Sequence, residues 1–314
     1  MHTDKIYRIR QLHKQFDQRV IHDKLTFDVT AGEIFCALGK NGVGKTTLIK
    51  QMLNLILPTS GTIEYKGKEI HTYGKRYYAE VNAVLEGSNN LYYFLTGYEN
   101  IMYFGGLHGL SRKETLRRSA ALIDLFELDR DIHNNSGQYS RGMQQKLAII
   151  CALVNEPSVL FLDEPTLGLD VQSKNNVVES VRKLSSDFGT TVFLTSHQLD
   201  VVEQLADTVM LLHEGNVRFS GSVKAFTAQY SQEKSTVIIG QRADSMLAIE
   251  RLKQEFRQFQ FSEDKHGNIS LEMYSTEALQ VNEVLRRLLE SDLEILQYTK
   301  DSADLEAMFL NSFS

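Results

Sequence analysis

No run of apolar residues in this sequence approaches the roughly 18 needed to span a bilayer. The first residues, MHTDKIYRIRQLHKQF, carry no apolar signal core. A cytoplasmic protein is therefore expected, and if it works at a membrane another chain does the crossing. Only two cysteines occur, Cys36 in a strand-like apolar run and Cys151 in a helix-like one. They read as small buried residues of a reducing compartment, not as a disulfide or metal pair. The three prolines leave little scope for long rigid linkers, and no internal repeat or low-complexity tract is present. Positive charge is not in excess either. With 34 Lys and Arg against 40 Asp and Glu the net charge is −6, which argues against nucleic acid as the main ligand.

The 314 residues, 42% hydrophobic and 24% charged, suffice for one large domain and a smaller one. The near-continuous apolar run GEIFCALG suits a buried strand. KIYRIRQL and KLTFDV read as further strands. A helix is expected from Thr46 to about Leu57, stopped by Pro58, and TSGTIEYKGKEI has the glycine turns of a hairpin. Residues 90–156 are mostly helical in pattern. Beyond them the strands SVLFLDEPT, TTVFLTSH, DTVMLLHEG and NVRFSG are interspersed with the helices VQSKNNVVESVRKLSSDF and QLDVVEQLA. This alternation implies an α/β core with a mainly parallel sheet. Past about Gln229 the order becomes β-α-β-β-α-β, the pattern of a small ferredoxin-like unit. Its hairpin is expected to turn at His266-Gly267-Asn268, and a last helix is expected over SADLEAMFLNSF. The expected domains are 1–229, with a helical subdomain at about 90–156, and 230–314.

Gly39 to Thr46, GKNGVGKT, fits G-x-x-x-x-G-K-[ST] between a buried strand and a helix, the context a phosphate-binding loop requires. Gly39, Gly42 and Gly44 let backbone N–H groups turn inward around phosphate oxygens. Asn41 and Thr47 belong to the same loop. Lys45 adds a cation for the β and γ phosphates, and Thr46 offers a hydroxyl to Mg²⁺. VLFLDEP supplies a second element. Asp163 ends an apolar strand, where it can hold Mg²⁺ through water, and Glu164 can accept a proton from an attacking water. His197 ends TVFLTSH at the sheet edge that faces the nucleotide. YSRGMQQKLAII opens like another anion-facing helix, with Ser140 as N-cap and Gly142 as a close-approach position. Taken alone, a capped core helix explains it as well.

In this order, the phosphate loop, YSRGMQQKLAIICALVNEPSVLFLDEPTLGLD and TSH resemble the nucleotide-binding subunit of an ABC transporter, over roughly residues 5 to 222. The LEG…NLY…LT pattern and the C-terminal DLEAMFL are similar to daunorubicin-resistance-type exporter ATPases. The resemblance implies a P-loop NTPase core of the ABC ATPase type, an ATPase using ATP and Mg²⁺. It also implies two copies packed head to tail, so that Ser140 and the Gly142 backbone meet a nucleotide held by the partner copy's phosphate loop. By the same resemblance Phe16 stacks on adenine, Glu164 is the catalytic base, His197 is the switch histidine and Asp170 helps couple the two sites.

The sequence departs from the family at Arg141 and Met143, where LSGGQ has glycine and glutamine, and at Glu86, where glutamine is usual. Glu86 either keeps a Mg²⁺ contact or is a loop carboxylate that has lost it. Tyr92, Tyr93, Phe94 and Tyr98 either line a groove for the permease or belong to the core of the helical subdomain. The function implied is ATP hydrolysis that drives export through separate permease subunits, from the inner face of the cell membrane. The small C-terminal domain is expected to stabilise the dimer or to regulate it. A soluble ABC ATPase acting on nucleic acid or ribosomes is the rival. Such proteins typically carry paired nucleotide domains or long coiled coils, and this chain has one phosphate loop and no long heptad run. A regulatory ATP-binding module with little turnover is opposed by the intact Lys45, Asp163, Glu164 and His197.

Overall fold

Strands whose residues are apolar throughout need cover on both faces, and strands that alternate need it on one. Both kinds are found in the computed structural model, which describes residues 5–87, 90–230, 233–240, 246–256, 259–263, 267–275, 278–291 and 293–301. The chain forms two compact units that divide between Phe226 and Thr227. The first opens with β1 (Lys5–Phe16) and β2 (Arg19–Thr30), then β3 (Ile34–Leu38) and α1 (Lys45–Met52). Next come β4 (Ser60–Tyr65), β5 (Lys68–Glu69), the short α2 (Tyr77–Glu80) and β6 (Val81–Val84). The helical insertion follows as α3 (Gly97–Leu107), α4 (Arg112–Leu125) and α5 (Arg141–Leu153). The remainder is β7 (Val159–Asp163), α6 (Val171–Phe188), β8 (Thr191–Ser196), α7 (Leu199–Leu205), β9 (Thr208–His213) and β10 (Asn216–Ser222), followed by α8 (Val223–Tyr230), within which the division falls.

These strands make two sheets. One is antiparallel, ordered β2-β1-β4-β5, and the other is ordered β10-β9-β3-β8-β7-β6. The second is parallel except for β10, which pairs antiparallel with β9. Every side chain of β3 and β7 is buried, as their apolar runs require. The sheets share one core. Phe35 of β3 stacks on Phe193 of β8 at 5.2 Å and on Phe27 of β2 at 5.5 Å. Because β3, β7 and β8 are parallel neighbours, their C-terminal ends lie side by side, and the phosphate loop, Asp163 and His197 emerge at one edge.

The first helix is shorter than expected. It ends at Met52 rather than near Leu57, because Asn54 takes a left-handed conformation (φ +57°) and the Leu55 and Ile56 N–H groups both return to the Lys50 carbonyl. Its apolar stripe closes with Leu53, while Leu55 and Leu57 are exposed. Pro58 lies in the loop beyond. Phe226, at the end of this unit, is buried with its ring 5.2 Å from Phe219.

The second unit runs β11 (Glu233–Gly240), α9 (Met246–Glu255), β12 (Gln260–Glu263), β13 (Ile269–Ser275), α10 (Ala278–Glu290) and β14 (Glu294–Asp301). Its sheet is antiparallel throughout and ordered β12-β13-β11-β14, the ferredoxin-like arrangement. Alternate residues Val237, Ile239, Leu271 and Met273 pack beneath Ile249, Leu252 and Leu288 of the two helices. His266 of the expected hairpin turn and the expected last helix lie outside the described residues.

Candidate functional site

The turn from β3 into α1 uses backbone that side chains resist. Gly42 and Gly44 sit at φ +80° and +109°, in the left-handed region. A Cβ on Gly39 would come within 2.7 Å of the Leu212 carbonyl oxygen. The loop therefore curls into a cup of about 490 Å³, walled by Asn41, Gly42, Gly44, Lys45, Thr46 and Thr47, with Arg19, Glu86 and Glu164 also lining it. Lys45 is 6% exposed. Its ammonium donates to the carbonyls of Gly39 (2.7 Å) and Lys40 (3.2 Å) and lies 3.0 Å from Glu164 Oε1.

The carboxylates come from the end of β7. Asp163 is paired in register with Thr195 of β8, and the Thr195 hydroxyl donates to Asp163 Oδ1 at 2.6 Å. Thr46 donates to the other oxygen, Oδ2, at 2.7 Å. The same Thr195 hydroxyl accepts the Glu164 N–H at 3.0 Å. Glu164 itself sits at φ +49°, an unusual backbone state for a residue with a side chain. Its Oε2 lies 2.9 Å from His197 Nδ1. Its buried Oε1 faces Lys45 but receives no hydrogen bond. Lys45, Glu164 and His197 thus form a continuous row of polar groups that begins in the cup.

These residues fit a nucleotide with Mg²⁺. Among the described residues no group of three or more His, Cys, Asp or Glu side chains gathers as a ready metal cage. The Thr46 hydroxyl and the Asp163 carboxylate form a pair of oxygen donors, which suits an ion that keeps waters and phosphate oxygens for its remaining positions. Glu86 lines the cup, but no cluster of this kind joins it to Asp163.

The remaining expected residues stand elsewhere. Phe16 ends β1, half exposed, with Lys14 Nζ 4.4 Å from its ring centroid, so one face of the ring is taken by a cation. Ser140 caps α5 by accepting the Met143 N–H at 3.2 Å. A Cβ on Gly142 would meet Ser173 Cβ and Oγ at 2.7 Å, so the start of α5 lies directly on the start of α6. Asp170 caps α6, accepting from the Ser173 N–H (2.9 Å) and hydroxyl (2.6 Å), and these bonds hold its carboxyl below the usual carboxylate range. Ser140, Gly142 and Asp170 are brought together here, and none of them lines the phosphate cup of its own chain. Tyr92, Tyr93 and Phe94 are exposed, whereas Tyr98 is partly buried and accepts a hydrogen bond from Arg112. Cys36 and Cys151 are buried free thiols, and burial pushes both upward in pKa.

Thr195 and Arg19 were not foreseen. Thr195 touches both acidic residues, yet its importance arises from strand register, and the only trace in the sequence is a hydroxyl residue two positions before His197.

A family model described as ABC transporter matches residues 22–167. The bacitracin transport ATP-binding protein BcrA of Enterococcus faecalis is 35% identical over 69% of this chain and 69% of its own length. The daunorubicin resistance ATP-binding protein DrrA3 of Streptomyces coeruleorubidus is 33% identical over 76% of this chain and 74% of its own. A solved structure of an ATP-binding subunit of an ABC transporter superposes with a TM-score of 0.63 and 29% identity, covering 72% of this chain and 93% of that one. Likeness over more than two thirds of the chain is not produced by a shared phosphate loop alone: the chain belongs to the ABC transporter family and is one of its ATP-hydrolysing, ATP-binding subunits.

Proposed function

We propose that this chain powers an exporter. Two copies close head to tail around two nucleotides beneath separate membrane-spanning subunits, on the inner face of the cell membrane. The contacts that join Lys45 to Glu164, Glu164 to His197 and Thr46 to Asp163, beside one cup, carry the hydrolytic part of this reading. The export part is supported by relatives named for bacitracin transport and daunorubicin resistance. Ser140 and Gly142, set apart from their own cup, serve the nucleotide of the partner copy. A helix N-terminus with a small hydroxyl residue presents donors suited to a phosphate.

In the mechanism, the backbone N–H groups of residues 39–46 and the Lys45 ammonium orient the β and γ phosphates. Thr46 and Asp163 hold Mg²⁺, which when bound neutralises charge on those phosphates. Glu164 takes the proton of the attacking water, and His197 holds the Glu164 carboxylate in place through Oε2. Phe16 offers its free face to the base. Closure of the pair on ATP and its opening after hydrolysis move the permease.

The permease is received at a groove of about 440 Å³ between the Glu86 loop and the helical insertion, whose walls include Leu91, Tyr93, Gln144 and Leu167. Tyr92 and Phe94 stand exposed beside it. Glu86 lines both this groove and the phosphate cup, so it is placed to link them. Glu86→Gln is expected to retain most ATPase activity, and Glu86→Ala to uncouple hydrolysis from transport. An alanine variant with unchanged ATPase and unchanged transport removes Glu86 from the coupling path.

Affinity purification of the Glu164→Gln chain with ATP from detergent-solubilised membranes tests the whole reading. A multi-span membrane protein recovered in about equal amount is the expected result. Recovery of only water-soluble protein, RNA or ribosomes overturns it.

A further inference from the structure

His22 of β2 is fully enclosed beneath the phosphate cup. Its Nε2 lies 3.1 Å from the carbonyl oxygen of Gly44, the residue that opens α1. Its Nδ1 lies 2.7 Å from the side-chain amide of Gln51, fully enclosed in the last turn of α1. One imidazole therefore ties together both ends of the helix that carries Lys45 and Thr46.

A carbonyl only accepts, so Nε2 carries the hydrogen. Burial holds the pKa of this imidazole below its ordinary value. The ring is then neutral and Nδ1 is an acceptor, so Gln51 must offer its NH₂ group. The amide as placed sets Oε1 on the ring and leaves Nε2 without a partner among the described residues; the turned amide puts Nε2 on the ring and Oε1 in the place it leaves. The Gly44 oxygen already accepts the Leu48 N–H at 2.9 Å, and His22 fills its second lone pair. In a planar trans peptide the C=O and the following N–H point in opposite directions. A Gly44 carbonyl held down on His22 therefore aims the Lys45 N–H up into the cup. The contact is tight, since a Cβ on Gly44 would come within 2.7 Å of His22 Nε2. The strand is also fixed from behind: the Asp23 N–H donates to the Gly215 carbonyl at 2.8 Å, and Gly215 packs on the Ile21 carbonyl.

We propose that His22, held by Gln51, is a positioning residue of the phosphate loop that sets the tilt of the Gly44–Lys45 peptide and so the aim of its N–H at a phosphate. This rests on the assignment of the cup as the nucleotide site. The experiment compares His22→Leu, Gln51→Leu and the double variant in the full chain, with Lys45→Met alongside. MgATP affinity is measured by titration calorimetry, with steady-state kcat and KM and the melting temperature. Each single variant leaves a buried polar group unpaired and is expected to melt lower. The double variant has no such group and recovers most of the melting temperature. It nevertheless keeps a Kd and KM for MgATP raised roughly three- to tenfold, the worth of one hydrogen bond, with kcat within about twofold.

A double variant with both wild-type melting and wild-type MgATP affinity reduces the pair to packing and overturns the proposal. If the double variant does not fold, Gln51→Met decides, because it keeps the volume but releases the ring: an unchanged KM for MgATP overturns the proposal. Loss of MgATP affinity in Lys45→Met with none in the His22 and Gln51 variants sinks this proposal alone. Wild-type affinity in Lys45→Met instead sinks the nucleotide assignment.

Discussion

Glu164→Gln is expected to lower ATP turnover by roughly 10²–10⁴-fold, the span that a positioned general base contributes, while MgATP binding survives or tightens. The second half follows from the geometry of the cup. Lys45 Nζ is already engaged by Glu164 Oε1 at 3.0 Å, so phosphates must compete with a buried carboxylate for the same ammonium. An amide removes that competitor and leaves the volume unchanged. It also removes the acceptor for the water proton, so nucleotide stays bound and uncleaved. Single-turnover phosphate release with calorimetric titration of MgATP measures both effects. Turnover within tenfold of wild type would falsify the assignment of Glu164 as the base.

Lys45→Met is expected to abolish measurable MgATP binding and also to destabilise the chain. Lys45 and Glu164 are 6% and 7% exposed, so deleting the cation leaves a carboxylate enclosed without its partner. Breaking a buried pair in this way costs up to about 3–5 kcal/mol. For a unit of this size the melting temperature falls by something on the order of 10 °C. Adding Glu164→Gln to Lys45→Met should restore most of that loss without restoring nucleotide binding, because the stranded charge is then gone. Scanning calorimetry of the two variants decides it. Equal melting of Lys45→Met and wild type means that the pair contributes nothing to the resting structure.

The phosphate loop was legible because its chemistry is local: glycines with left-handed backbone, a buried strand before them and a helix after them. The parallel sheet was legible because doubly covered strands must be apolar throughout. The end of α1 was not, since Pro58 marks only where a helix cannot continue, and the chain had already turned at Asn54. Thr195 and His22 were invisible for a different reason. Thr195 acquires its role from the β7–β8 register, and His22 from the packing of β2 under a helix that begins at Lys45. No spacing along the chain encodes either contact. The aromatics after Glu86 divide, with Tyr92, Tyr93 and Phe94 on the surface and Tyr98 tucked against the ring of His133. Sequence pattern had no means of separating them, because the first three lie in a loop without periodicity and Tyr98 in the first turn of α3, too near its start for a periodic face to show.

Gly142 and Ser173 carry a mechanical consequence. With no room for even a methyl group between them, and with Ser173 bonded through both its N–H and its hydroxyl to Asp170, the starts of α5 and α6 have no slack. They behave as one stiff corner rather than as two hinged rods. Asp170 terminates the stretch that leaves Glu164, so under the proposed mechanism a displacement of Glu164 is passed along that stretch to this corner. In the proposed head-to-tail pair, the helix start offered to one nucleotide is thereby geared to the loop that carries the base for the other.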